Sequence, residues 1–228
     1  ALVRLRSQQA KKNHSKAFSG IAASVDCNDR WVYLDPYRGT IAAVAESSRN
    51  VSCVGAKPIA ITNNLNFSSP ETDLGYWQLA SSCNGISYAC KKLGTPVTGG
   101  NVSLYNESIT FEGHQKPIHP TPVIGMVGIV DNVNLAVNSL WKSIGDEIWI
   151  IGSNRSEESI SASSYLEYFH GKVTGRPPEI NLNDEKLCQS FIRESIKEKF
   201  VNSCHDVSDG GLAVSLAESC VLSLKGAM

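Results

Sequence analysis

The spacing of apolar residues changes period along the chain, and each change marks an element. Residues 18–25 and 31–34 are short and mostly apolar, separated by the polar run Asp26-Cys27-Asn28-Asp29-Arg30, and read as a strand pair. Asp35-Pro36-Tyr37-Arg38-Gly39 is a turn that starts a helix. From residue 40 to 53, Ile41, Val44, Ala45 and Ser48 recur at helical spacing, and Gly55 is placed to close the helix. Residues 59–62 give a strand that ends in the polar loop Asn63-Asn64-Leu65-Asn66-Phe67. Asp73 is placed to cap a long helix to Leu93, with Trp77, Ala80, Ile86 and Cys90 facing inward and Gly94 closing it.

The second half is patterned less regularly. Thr110-Phe111 reads as an edge strand, and Pro117, Pro120 and Pro122 punctuate a loop around His114 and His119. Residues 123–130 form a strand. Residues 131–143 are a polar crossing anchored by Trp141, and the domain boundary is placed there. Glu147-Ile148-Trp149-Ile150-Ile151-Gly152 reads as a buried strand opening a second domain. Residues 156–170 are partly helical, and Arg176-Pro177-Pro178 is an extended connector. Residues 184–200 form an amphipathic helix with Leu187, Cys188, Phe191, Ile192, Ile196 and Phe200 on one side. A strand-to-helix junction at residues 204–212 then leads into a helix through Leu224, with Asp209 placed to cap it. Residues 1–17, polar and basic and including His14, read as a linker.

Composition narrows the classes. The chain has 228 residues, 42% hydrophobic, with a net charge of −1, enough for a packed core and too neutral to track a nucleic-acid backbone. No apolar run reaches the length of a membrane span, and residues 1–6 lack the apolar core of a signal peptide. The seven cysteines are odd in number with no CxxC pair, and read as free thiols in a reducing, cytoplasmic setting.

Candidate chemistry concentrates in Thr98-Gly99-Gly100-Asn101-Val102-Ser103-Leu104-Tyr105-Asn106. Two adjacent glycines leave backbone N–H groups uncovered, so a phosphate can approach closely. Asn101 offers a neutral oxygen suited to Mg²⁺, and Ser103 shares its face of a strand. The same local pattern also describes a Gly-Gly bulge followed by a polar turn. Glu46 and Asn50 share one helix face, which by itself is a solvent-facing polar stripe. Asp206, Ser208 and Asp209 suit Mg²⁺ and phosphate, or an ordinary helix cap. His114 and His119 lack a third ligand at suitable spacing and read as surface loop residues.

Four runs occur in one order: Leu34-Asp35-Pro36-Tyr37; Val44-Ala45-Glu46 with Arg49-Asn50; Gly99-Gly100-Asn101-Val102-Ser103-Leu104-Tyr105-Asn106; and His205-Asp206-Val207-Ser208-Asp209-Gly210-Gly211-Leu212. Together they resemble the phosphoribosylformylglycinamidine (FGAM) synthase family of purine biosynthesis in its small form, from about Phe18 onward. That family is built as a pseudo-twofold repeat of two modules. The resemblance is to the second half alone and implies a fragment with an α/β (α+β) fold: residues 1–17 a linker, 18–137 a PurM-like N-terminal sheet domain with flanking helices, and 138–228 an incomplete PurM-like C-terminal α/β domain.

The resemblance implies an ATP-dependent ligase, requiring Mg²⁺, that converts formylglycinamide ribonucleotide to the amidine. ATP phosphorylates the amide oxygen, and ammonia from a separate glutaminase subunit attacks the activated carbon. By the same resemblance Asn63 and Gly100 contact ATP, Asn101 ligates Mg²⁺ and Ser103 touches the ribonucleotide. Asn63 stands where many members carry aspartate, and Ser68-Ser69 replaces a usual Gly-Asn. Asp26, Glu46, Asn50 and Asp206 resemble metal ligands of a pseudo-twofold auxiliary nucleotide site, and Ser208 resembles a nucleotide contact there. The family's catalytic histidine falls in the first half, so no general acid or base is assigned, and this chain alone is expected to be inactive. Expected partners are the first half of the synthase, its glutaminase and small accessory subunits, and a second copy of this chain in a homodimer. A non-catalytic nucleotide-binding or assembly module of the same superfamily is the alternative. Aminoimidazole ribonucleotide synthetase and selenophosphate synthetase are more distant.

Overall fold

The computed structural model describes residues 1–5, 18–152 and 160–227. Five strands make one sheet in the order β1-β2-β7-β3-β4: β1 Leu2–Arg4, β2 Gly20–Asp26, β3 Lys57–Asn66, β4 Val97–Ser103 and β7 Thr121–Val130. β3 and β4 run parallel, and the other pairs are antiparallel. A small hairpin, β5 Glu107–Ile109 with β6 Gln115–Pro117, lies outside the sheet. The helices are α1 Asp29–Leu34, α2 Pro36–Cys53, α3 Asp73–Leu93, α4 Ser164–His170, α5 Leu182–Lys197 and α6 Gly211–Ser223.

α2 is the central helix. It packs on β2, β3 and β7 beneath, on α3 beside it, and on α1 and α5 at its flanks. Enclosed on several sides, α2 buries Ile41, Val44 and Val51 together with Thr40, Ser47 and Ser48. The buried hydroxyls bond inside the helix: Ser47 Oγ donates to Ala43 O at 2.9 Å and Thr40 Oγ1 to Pro36 O at 2.8 Å. The core between sheet and helices is filled by Ile61, Leu65, Phe67, Ile86, Ile124 and Met126. Burying each such large side chain contributes about 1.5–3 kcal/mol.

Several elements differ from the sequence expectation. Residues 31–34 belong to helix α1. The Asn28 side chain accepts from Trp31 N at 3.0 Å and Asp29 occupies the first turn, so a cap outweighs the strand preference of Trp31, Val32 and Tyr33. Residues 63–66 continue β3, where the sequence suggested a loop, because β4 and β7 pair with them on both sides. The N-terminal segment, expected as linker throughout, supplies the edge strand β1; residues 6–17, including His14, lie outside the described residues. Thr110 and Phe111 sit in the β5–β6 turn, with Thr110 N donating to His114 O at 2.9 Å. Thr72 caps α3, accepting from Gly75 N at 3.1 Å, and Gly94 closes it at φ 77°; Asp73 is the first helical residue and Trp77 faces solvent.

The second half departs furthest. Residues 147–151 form no strand, and Trp149 is 77% exposed. An apolar run becomes a buried strand only where neighbours pair with it, and no described strand does so. α5 meets α2 through a polar seam: Arg49 with Glu185 at 2.9 Å, Ser48 Oγ donating to Gln189 Oε1 at 2.7 Å, and Arg193 Nη1 donating to Ser52 Oγ at 3.0 Å. Leu187, Phe191 and Phe200 face outward, against the expected burial. Gly210, in left-handed conformation, stands at the start of α6, and Asp209 makes no capping bond. The expected helix within 156–170 is present as α4; residues 153–159 lie outside the described residues. Among the described residues no helix is long and apolar enough to cross a membrane.

Candidate nucleotide and substrate site

Sheet register brings the sequence candidates onto one line. Ile124 in β7 pairs with Asp26 in β2 on one side and with Asn63 in β3 on the other, and Asn63 pairs with Gly100 in β4. The row Asp26–Ile124–Asn63–Gly100 crosses four strands near the carboxyl ends of β2, β3 and β4. At about 4.8 Å per strand, Asp26 and Asn63 are roughly 10 Å apart along it. Carboxyl strand ends, where the chain turns away and backbone groups open, are where α/β folds place ligands.

At the β3–β4 end, the Asn63 side chain lies across the Gly100 α-carbon. A Cβ on Gly100 would stand 2.5 Å from Asn63 O and closer still to Asn63 Oδ1, so glycine is required there. No heavy atom lies within 4 Å of a Cβ built on Gly99. Asn63 also lines a largely apolar cavity of about 520 Å³ under α3, with Ile86, Ser87, Cys90, Lys91 and Val97. One register step on, Asn101 Nδ2 donates to Asn64 Oδ1 at 3.0 Å. That bond occupies the amide nitrogen, while the cation-binding atom of an asparagine is its oxygen. Ser103 Oγ donates to Asn106 Oδ1 at 3.1 Å, and Asn106 Nδ2 donates back to Ser103 O at 2.8 Å. Tyr105 between them holds φ 60°, unusual for an aromatic residue, and its hydroxyl donates to Glu71 Oε1 at 3.1 Å.

At the β2 end, Asn50 Nδ2 donates to Asp26 Oδ1 at 2.9 Å, while Asp26 Oδ2 is buried without a hydrogen-bond donor. Burial, with the nearby Asp206 charge, raises the Asp26 pKa. Burial pushes Glu46 up to about 7, reinforced by Asp26, Asp209 and Asp206 and opposed by Arg49. Ser208 Oγ donates to Asp206 Oδ2, and His205 bridges Asp206 and Glu218. The polar stripe Glu46–Asn50 is therefore half-buried against the acidic group.

The donor set, carboxylate and amide oxygens with one orphaned buried acceptor, is of the chemical kind that holds Mg²⁺. Among the described residues, however, no three His, Cys, Asp or Glu side chains are arranged to hold a metal ion. Two participants were not legible in the sequence. Asn64 holds Asn101, and Asn28, besides capping α1, donates to Asp209 Oδ1 at 3.1 Å. The second contact joins residues 181 positions apart and leaves no local signal. His119 stacks on Tyr33 and pairs with Asp29 at 3.1 Å, while His114 is exposed.

The fold, a helix-covered sheet with asparagines and glycines at its carboxyl ends, agrees with the families matched along the chain. Residues 14–130 match the AIR synthase related protein, N-terminal domain, and residues 143–227 match the AIR synthase related protein, C-terminal domain. The chain belongs to the AIR synthase related family. Within it, the chain is 70% identical over 227 residues to the phosphoribosylformylglycinamidine synthase subunit PurL of Prochlorococcus marinus (strain MIT 9312), covering 100% of this chain and 29% of that protein. It therefore spans under a third of the length of such relatives.

Among solved structures, phosphoribosylformylglycinamidine synthase II of Thermotoga maritima matches with TM-score 0.61 and 28% identity, over 89% of this chain and 29% of the other. The T. maritima PurL complexed with FGAR matches with TM-score 0.57 and 27% identity, over 89% and 28%. The ATP complex of that protein matches with TM-score 0.56 and 27% identity, over 89% and 29%.

Proposed function

We propose that this chain supplies the second half of an ATP-dependent ligase that converts formylglycinamide ribonucleotide to formylglycinamidine ribonucleotide. The observation that carries the reading is the β3–β4 register, which sets Asn63 against Gly100 and Asn64 against Asn101 at the carboxyl ends of parallel strands. The likeness to a protein complexed separately with ATP and with FGAR supports it.

In the reaction, the amide oxygen of the ribonucleotide attacks the γ-phosphorus of ATP and ADP leaves. Ammonia adds to the activated carbon, and the C–O bond to phosphate breaks. Positioning and neutralisation of the transferring group supply most of such catalysis. Here the open backbone at Gly99 and the Asn63 amide lying across Gly100 hold the nucleotide beside the neighbouring apolar cavity. Ser103, fixed by Asn106, orients the ribonucleotide. Asn101 would hold Mg²⁺ through its side-chain oxygen, and the ion would supply neutralisation of phosphate charge. Asp26, Glu46, Asn50 and Asp206 would supply the oxygen ligands of an auxiliary nucleotide site once a metal ion drew them together, and Ser208 would contact that nucleotide. Asn63 in place of aspartate removes one negative charge from the ATP site.

The remaining assignments follow from the same reading. The chain divides into domains at residues 18–137 and 138–228 and works in the cytoplasm. It is inactive until joined to the first half of the synthase, with glutaminase and accessory subunits delivering ammonia. Alone, it pairs as a homodimer.

The test is a synthase completed with the missing portions. Asn101→Ala should lower kcat by about 10²–10³-fold, roughly 3–4 kcal/mol, the cost of one transition-state electrostatic contact. Ser103→Ala should mainly raise the apparent KM for the ribonucleotide. Parent-like turnover in both variants would reduce the glycine stretch to a structural bulge.

A further inference from the structure

Asn106 stands just past β4 and folds back onto the end of that strand. Its amide nitrogen donates twice, to Phe67 O at 3.0 Å and to Ser103 O at 2.8 Å. Both amide protons are thereby used. The amide oxygen faces the Ser103 hydroxyl, which donates to it at 3.1 Å. Turning the amide over would set its oxygen against two carbonyl oxygens, so the network admits one orientation.

The frame around this amide is fixed from the core. Phe67 is fully buried, its N–H donates to Ser103 O at 3.0 Å, and Asn106 N donates to Phe67 O at 3.1 Å. The two carbonyls that hold the amide are thus themselves held by backbone bonds between the segments that follow β3 and β4. Tyr105, at φ 60°, lies in the turn that returns Asn106 to Ser103, a costly conformation for an aromatic residue.

A serine hydroxyl carries one proton and two lone pairs. With its proton committed to Asn106, Ser103 Oγ has lone pairs to offer a ligand and nothing to donate. Swinging that proton toward a ligand would strip Asn106 Oδ1 of its donor, and the amide cannot turn to replace it.

We propose that Asn106 is a positioning residue that makes Ser103 a hydrogen-bond acceptor, so that Ser103 recognises an N–H or O–H group of the ribonucleotide and not its phosphate. The inference rests on the ligase reading, which sets Ser103 at the ribonucleotide, and goes beyond it by fixing the polarity of the contact. Formylglycinamide ribonucleotide offers such donors in its amide N–H groups and its ribose hydroxyls. At pH 8 its phosphate stands two units above a second pKa of about 6 and has no proton to give.

The test is calorimetric binding, at pH 8 and without ATP, to a synthase completed with the missing portions. The ligands are formylglycinamide ribonucleotide, its 2′-deoxy and 3′-deoxy analogues, the analogues N-methylated at either amide, and the phosphate-free riboside. One donor-lacking analogue should bind the parent about 10-fold more weakly than the ribonucleotide. That ratio should fall to within about twofold in Ser103→Ala, while the loss on removing phosphate stays as in the parent. Asn106→Ala, which releases the Ser103 proton, should shrink the same ratio. A merely structural Asn106 would weaken every ligand alike and leave the ratio unchanged. Ser103→Ala keeps the Asn106 bonds to Phe67 O and Ser103 O, so it decides the donor class even if Asn106→Ala does not fold. Loss of the phosphate penalty in Ser103→Ala, or no donor-lacking analogue coupled to Ser103, would overturn the proposal while parent turnover upholds the ligase reading. A parent that neither binds nor turns over the ribonucleotide would overturn both.

Discussion

Glu46 concentrates the electrostatic cost of the acidic group. Its pKa in the folded chain is about 7 against an ordinary 4.5, because burial and the neighbouring Asp26, Asp209 and Asp206 disfavour its charge. The folded state therefore binds a proton that the unfolded chain has already lost between those values. The resulting contribution is fully present below pH 4.5 and is lost as pH rises through about 7. Asp26, raised for the same reason, adds in the same direction. Glu46→Gln removes the charge while keeping the shape. In urea unfolding it should be more stable than the parent at pH 8 by roughly 1–2 kcal/mol, after discount for solvent screening. At pH 4 the two should coincide. A variant less stable than the parent at pH 8 would show that the ionised carboxylate is held by a favourable partner.

Among the elements, α2 and α3 pack closely because a glycine stands where they cross. A Cβ on Gly85 in α3 would stand 2.5 Å from Tyr37 O and closer to Thr40 Oγ1, both on α2. Backbone cannot yield as a long side chain can. Gly85→Ala should therefore destabilise by about 1–3 kcal/mol despite the better helix propensity of alanine. Denaturant unfolding gives the answer, and a gain in stability would show that the helices separate freely. β4 shows the reverse relation between element and neighbours. It is an edge strand whose residues 97–102 are exposed, so its glycines serve close approach and its asparagine pairing, not core packing. The α5–α2 seam is polar where the apolar period of α5 suggested otherwise, since Leu187, Phe191 and Phe200 face away from α2.

For the whole molecule, the notable feature is a sheet that the described helices cover on one side. β7 alternates, with Ile124 and Met126 turned into the core and Ile129 exposed on the other face. Ile21, Val25 and Ile59 are exposed on the paired strands. An apolar face of this kind favours association, and a second copy of the same surface satisfies it with twofold symmetry. Light scattering at micromolar concentration should report a dimer, and Val25→Lys with Ile129→Lys should convert it to a monomer. A monomeric parent would exclude sheet-face pairing.

The sequence by itself determined the long helices α2 and α3, the strand through residues 123–130 and the candidate residues. Each rests on a local signal: apolar spacing, a closing glycine, or a motif such as Gly100-Asn101. Tertiary structure decided the rest. It made residues 31–34 a helix through the Asn28 cap and carried β3 through Asn66 by pairing on both sides. It left 147–151 unpaired, and it aligned Asp26, Ile124, Asn63 and Gly100 across four strands. The physical reason is common to these cases. Local patterns fix which residues share a face of their own element, but which face is buried, and with what it pairs, depends on residues distant in the chain. The bond between Asn28 and Asp209 therefore exists only once the chain has folded.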